Sequence, residues 1–247
     1  MVSITTRLHT WFPDQGDNIS SSQVPYRTKW LLFDVGGVLI ESPHDFAAFA
    51  NELSGDDSPA TLAGVRRSFD SHRDAYDRGA SAAWFWTEVA NDAGAPHPND
   101  GTIRSLVTLE QQRWSSPSPA TLAALERCKA AGHSLAILSN APHELADILQ
   151  AATWTQLFDH IMTSARLGSA KPDAAVWQMA VKQLGTTPTD ISFFDDREGN
   201  IAAAAAAGIR AHHWTGLGSL EHLLFQWNDV SVHERQPSAA TAGTSHS

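Results

Sequence analysis

The 247-residue chain has one cysteine, Cys128, so it can form no disulfide within itself. That suits a reducing compartment, and a cytoplasmic location is expected. Cys128 falls inside a helical pattern, Thr121 to Ala131, and reads as a small core residue rather than a nucleophile. Basic residues are scarce as well: 17 Lys and Arg stand against 27 Asp and Glu, a formal net charge of −10. A surface of that sign repels nucleic acid and anionic bilayers, which argues against either as a partner. A small anionic substrate is still allowed, because a single pocket can be positive or hold a metal. No apolar run approaches the length that spans a bilayer. Met1 to Lys29 also lacks the apolar stretch of a secretory signal.

What the chain does have is an ordinary globular balance, 42% hydrophobic and 18% charged. Trp30 to Phe33 is a short run apolar on both faces, the signature of a central strand in a parallel sheet. Further runs follow at 135–138, 160–162 and 191–194, with a weaker one at 210–214. Helical patterns separate them at 120–131, 142–150, 173–184 and 199–207. Pro119, Pro142 and Pro172 fall near helix starts, and Gly132, Gly185 and Gly208 near helix ends. Such alternation predicts an α/β fold, a doubly wound parallel sheet built from βαβ units.

The stretch between the first two strands breaks the rhythm. It holds only helical patterns (47–53, 62–76, 81–93 and 102–114), too many for one crossover. We therefore expect an inserted all-helical unit at 41–117 and an α/β core formed by 30–40 and 118–229. Residues 1–29 and 230–247, rich in small and polar residues, read as a flexible extension and a disordered tail. Within the insertion, Trp84-Phe85-Trp86 reads as a packing core.

In a doubly wound sheet, ligands bind beyond the carboxyl ends of the strands. The polar residues found there are Asp34, then Ser139-Asn140, then Lys171, then Asp195-Asp196. Any one could merely end a strand; four strand ends supplying a carboxylate, a hydroxyl, a cation and an acidic pair point to one site.

The stretches Phe33-Asp34-Val35-Gly36-Gly37-Val38-Leu39, Leu138-Ser139-Asn140, Ala170-Lys171-Pro172-Asp173 and Phe193 to Ile201 resemble, in order, the four motifs of the haloacid dehalogenase-like (HAD) hydrolase superfamily. The likeness covers roughly 30–224, and the insertion looks like the family's helical C1 cap. It implies a Rossmann-like core and a Mg²⁺-dependent phosphatase of a small phosphorylated metabolite. Asp34 would be the nucleophile, forming an aspartyl-phosphate that water hydrolyses. Asp34, the Gly36 carbonyl and Asp196 would hold Mg²⁺, with Asp195 in support and Asn200 holding a water. Ser139 and Lys171 would bind the transferring phosphoryl group, helped by backbone N–H groups around Gly36 to Val38, those of Gly37 and Val38 above all, and of Asn140.

One position departs from the pattern. Most phosphatases of the superfamily carry an acid/base aspartate two residues after the nucleophile; here that residue is Gly36. Such a group typically contributes ~10²–10⁴-fold. Glu41 and His44 are the nearest candidates to replace it, although helix-start or solvated roles suit them better. Two alternatives follow: a metal-independent 2-haloacid dehalogenase, which also lacks that aspartate, or a catalytically weak member that binds a phosphorylated ligand or a protein partner. Against the first, Asp195-Asp196 needs a cation to bridge it. His212-His213 reads as a solvated edge strand and His222 as no ligand, because neighbouring strand residues face opposite ways. Arg73, Tyr76 and Arg78 read as helix-surface residues. A monomer or homodimer is expected.

Overall fold

A computed structural model describes residues 28–41, 44–114, 116–221 and 224. The expected tail, His222 and all of the N-terminal extension except Thr28 and Lys29 lie outside these residues.

The sheet has five parallel strands in the order β3-β2-β1-β4-β5: β1 Trp30–Phe33, β2 Ser134–Ser139, β3 His160–Thr163, β4 Ile191–Asp195 and β5 Arg210–His213. β1 is the central strand and all four of its residues are buried, which is why its sequence shows no alternation. Hydrogen bonds to the sheet extend back to Thr28 and Lys29, just before β1. The Thr28 hydroxyl lies 2.9 Å from Ser192 Oγ, Lys29 N donates to the Asp190 carbonyl, and Ser134 N donates to the Lys29 carbonyl.

Between β1 and β2 come four helices, α1 Phe46–Ser54, α2 Pro59–Asp77, α3 Ala82–Ala93 and α4 Asp100–Gln112, and then α5 Pro119–Ala130. Their starts are written in the sequence: the side chains of Asp45, Ser58, Ser81, Asn99 and Ser118 accept from first-turn amides. Pro59 and Pro119 occupy first-turn positions where a missing N–H costs nothing. The remaining helices are α6 His143–Ala151, α7 Ser164–Leu167, α8 Ala174–Leu184 and α9 Glu198–Ala206. None of the described helices is long and apolar enough to cross a membrane.

Alternation along β1 splits the core into two layers. Leu31 and Phe33 pack with Leu125, Leu145 and Phe158 on one face. Trp30 and Leu32 pack with Val176, Trp177 and Ile209 on the other. The inserted helices close over a third cluster of their own, centred on Phe49, Phe69, Phe85 and Trp86. At about 1.5–3 kcal/mol per fully buried large side chain, this third cluster gives the insertion a substantial core. Trp84 departs from the expectation: it is 39% exposed and turns its edge to His72, because helical spacing carries it away from Phe85 and Trp86.

Candidate active site

Register brings the strand ends together. Phe33 lies opposite Ile137 of β2 and Phe194 of β4, so Asp34, Ser139 and Asp195 emerge at one edge of the sheet. Lys171 reaches the same edge from the segment between α7 and α8. Above them lies a cleft of about 510 Å³, walled on its other side by residues of the inserted helices.

Lys171 is the hub. Its side chain is 1% exposed, and its ammonium lies 3.0 Å from Asp34 Oδ1 and 2.7 Å from Asp195 Oδ2. The Asn140 side chain holds the Lys171 backbone through two hydrogen bonds, donating to its carbonyl (2.8 Å) and accepting from its amide (2.9 Å). Asp34 Oδ1 also accepts from Val35 N at 2.7 Å, so two donors fix the plane of that carboxylate. Burial pushes the Asp34 carboxyl above the usual carboxylate range; the Lys171 charge works against this and the Asp195 charge reinforces it.

The two neighbouring aspartates differ. Asp195 is fully buried and saturated: Lys171 takes one oxygen, Asn200 Nδ2 lies 3.0 Å from both, and Arg197 N donates at 2.8 Å. Asp196 is exposed and lines the cleft. Oxygens of Asp34, Asp195 and Asp196 all lie within 4.8 Å of one another. The Asn200 side-chain nitrogen is engaged by Asp195.

The turn after Asp34 requires a correction. The Gly37 amide donates to the Ile40 carbonyl (3.0 Å) and the Val38 amide to the Val35 carbonyl (3.3 Å). The amide cradle expected at Gly37 and Val38 is therefore closed on the chain itself, as tight turns satisfy their own donors. Gly37 matters for another reason. Its φ is +79°, and a β-carbon there would collide with the Asp196 carboxylate. Gly37→Ala should lose roughly 1–2 kcal/mol to the left-handed backbone alone and displace the Asp196 carboxylate from its place at the cleft. Urea unfolding measures the loss; a midpoint equal to that of wild type would show that the turn tolerates a β-carbon there.

The inserted helices supply the roof. His44 sits against the Phe69 ring (4.7 Å, edge-on), and its Nε2 accepts from Arg113 Nη1 at 2.6 Å. Burial, then the Arg113 charge, pushes its pKa down to about 3, so at neutral pH it is an uncharged acceptor. Neither the solvated nor the helix-start role fits it; Asp45 is the residue that caps α1. Glu41 is exposed at the edge of the cleft. Arg73 pairs with Asp77 one turn along (2.8 Å), as expected, but it also reaches across to Glu110 and is mostly buried. Tyr76 is core, stacked 4.2 Å from Phe85, rather than surface. Arg78 pairs with Asp74 and crosses to Asp173 beyond the motif lysine (2.6 Å). His212 and His213 lie on the edge strand β5, where His212 stacks on Phe194.

Sequence reasoning missed Asp77, Glu110, Arg113 and Trp114. Each belongs to an ordinary amphipathic helix or its end, and only the packing of that helix turns it to the cleft or to its neighbours.

A parallel sheet that gathers an aspartate, a serine, a lysine and an acidic pair at one edge, under a helical insertion, defines a class of hydrolases. The family model of the haloacid dehalogenase-like hydrolases matches residues 28–208, and the chain belongs to that family. Over 109 residues, 43% of this chain and 50% of its counterpart, it is 31% identical to phosphatase MT3486 of Mycobacterium tuberculosis. It is 28% identical over 181 residues to (S)-2-haloacid dehalogenase 1 of Pseudomonas sp. strain CBS-3, covering 72% of this chain and 77% of that one. A HAD family enzyme of Bacteroides thetaiotaomicron, solved as a magnesium complex, shares the fold with a TM-score of 0.63 at 19% identity, covering 80% of this chain and 98% of that one.

Proposed function

We propose that this protein is a Mg²⁺-dependent phosphatase that hydrolyses a small phosphorylated metabolite through an aspartyl-phosphate on Asp34. The observation that carries the reading is the carboxylate cluster. Asp34, Asp195 and Asp196 crowd within 4.8 Å, and Lys171 is the cation that ion-pairs within it. Three carboxylates around one ammonium leave a net negative charge that a hard dication offsets. The donors are all oxygens, which suits Mg²⁺. Asp34, Asp196 and the Gly36 carbonyl would hold it, while the saturated Asp195 positions Lys171. When bound, Mg²⁺ neutralises the repulsion between a phosphate and the attacking carboxylate.

The chain's own residues do the rest. Val35 N and Lys171 orient the Asp34 carboxylate, and Lys171 balances the charge that builds on the phosphoryl group. Ser139 donates its hydroxyl to a phosphoryl oxygen, and Asn140 keeps Lys171 in place. The roof of inserted helices limits the cleft to a small substrate and excludes water.

Metal-independent dehalogenation is the second reading, favoured by Gly36 and by the haloacid dehalogenase relative. One set of assays separates the two. The phosphatase reading expects phosphate release from a panel of phosphomonoesters that needs Mg²⁺. It also expects a melting temperature that rises with Mg²⁺ (at 100 Kd the gain is about 2.7 kcal/mol), a rise that Asp196→Asn abolishes. Halide release in EDTA, with no thermal response to Mg²⁺, would establish the dehalogenase instead.

A further inference from the structure

We propose that Asp77, at the end of α2, is the general acid and base that the chain lacks at Gly36; this rests on the phosphatase reading above. Gly36 offers no side chain, so an alkoxide leaving group must find its proton elsewhere. The candidates nearest in sequence are poorly suited. His44 is not an imidazolium at neutral pH and its Nε2 is occupied as an acceptor for Arg113, while Glu41 is exposed at the edge of the cleft.

Asp77 lines the same cleft as Asp34, Ser139 and Lys171, from the opposite wall. It is 8% exposed, and its position is fixed relative to the core. The Asp77 carbonyl accepts from the Ser164 hydroxyl, and Ser164 Oγ accepts from Ala141 N at 2.9 Å, two residues beyond Ser139. Movement of Asp77 against the serine of the site therefore breaks a buried chain of hydrogen bonds.

Its charge environment favours a proton. On α2 itself Arg73 donates to Asp77 Oδ1 at 2.8 Å, and from α4 Glu110 claims the same guanidinium. Two buried carboxylates share one cation, so one of them is better neutral, and Asp77 is the one that opens to the cleft. Arg197, from the segment between β4 and α9, acts on it weakly in the opposite sense. From α7 the contact is Ser164, while Arg166 turns away to Asp147. Burial outweighs the Arg73 charge and pushes the Asp77 carboxyl up to about 6, where it exchanges a proton near neutral pH.

The proton count closes over a cycle. As Asp34 forms its bond to phosphorus, the ester P–O bond breaks, and the Asp77 carboxyl gives its proton to the departing oxygen. The resulting carboxylate then takes a proton from the water that attacks the aspartyl-phosphate. Breaking that bond releases inorganic phosphate, frees Asp34 and leaves Asp77 protonated again.

The test uses leaving groups of different basicity. Wild type and Asp77→Asn are assayed with Mg²⁺ on nitrophenyl phosphate, whose leaving group needs little help, and on alkyl phosphomonoesters. The expected result is a loss of about 10²-fold on alkyl esters and less than about 5-fold on the aryl ester. The alkyl rate of the wild type falls as pH rises above about 6, and Asp77→Asn lacks that limb; substrate ionisation is common to both proteins. Equal losses on both esters overturn the assignment and leave a structural role. If Asp77→Asn does not fold, the wild type decides alone. Its rates depend on leaving-group basicity more steeply at pH 8 than at pH 5.5 if Asp77 is the acid, and equally at both if it is not. No phosphate release from any ester overturns the phosphatase reading and this assignment together.

Discussion

Under the proposed phosphatase reading, Asp34→Asn is expected to abolish phosphate release, by at least about 10⁴-fold, without loss of fold. Asparagine has the size of aspartate, and its oxygen can still accept from Val35 N and Lys171, the two donors that orient Asp34. What it lacks is a negative oxygen that can attack phosphorus. Stability is expected to change in the unusual direction. The Asp34 pKa is raised by burial, so the native protein holds this proton more tightly than the unfolded chain does. A raised carboxyl favours folding below the unfolded value near 3.8 and loses that contribution as pH rises through the folded value. In EDTA at neutral pH, Asp34→Asn should therefore unfold at a urea concentration no lower than wild type. Under the same reading, saturating Mg²⁺ is expected to reverse the order, because only the wild type gains the full binding energy. Activity above about 1% of wild type in the variant would mean that another residue attacks phosphorus.

The strand-end residues were legible in the sequence because each follows an uninterrupted apolar run, and in a parallel sheet such runs end at one edge. Asp34, Ser139 and the Asp195-Asp196 pair need only that rule, whereas Lys171 lies beyond α7 and stood out through the motif around it; the structure brings them together. The division of labour within the pair was not legible. Asp195 ends β4 and turns into the layer where Lys171 and Asn200 wait, whereas Asp196 faces the cleft; two adjacent aspartates look alike until those partners are placed. The inserted helices show the same limit more strongly. Asp74 and Asp77 lie three residues apart on α2, both with an arginine one turn away. Asp74 is on the surface with a side chain 71% exposed, while Asp77 is covered by Ser164 and by the Arg73–Glu110 pair. Helical spacing locates a face, and only the packing of α2 against α7 decides what that face meets. The turn at Gly37 and Val38 misled for a related reason: Gly37 is needed for the left-handed turn and for the approach of Asp196, and the amides of Gly37 and Val38 are consumed in forming it.

Lys171→Met should be the most destabilising single change at the site, costing roughly 3–5 kcal/mol in EDTA at pH 8. Methionine preserves an apolar stem of similar length, including packing against Phe193, whose ring lies 5.3 Å from the Lys171 ammonium. The loss is therefore one of charge. Asp195, with no exposure, and Asp34, 8% exposed, would each lose the cation that now touches both. Asn200 and the Arg197 amide still donate to Asp195, so the heavier burden falls on Asp34, whose pKa is already raised. Removing Lys171 raises it further, since the ammonium is what opposes burial. The native variant then holds a proton on Asp34 to higher pH than the unfolded chain does, and its stability deficit should shrink as the buffer moves from pH 8 toward pH 5. Under the proposed reading, Mg²⁺ should also narrow the deficit, by supplying at Asp34 and Asp196 part of the positive charge that was deleted. Urea midpoints at both pH values, with and without Mg²⁺, measure these shifts. A deficit that stays constant across all four conditions would show that Lys171 acts through packing, and the electrostatic account of the cluster would fail with it.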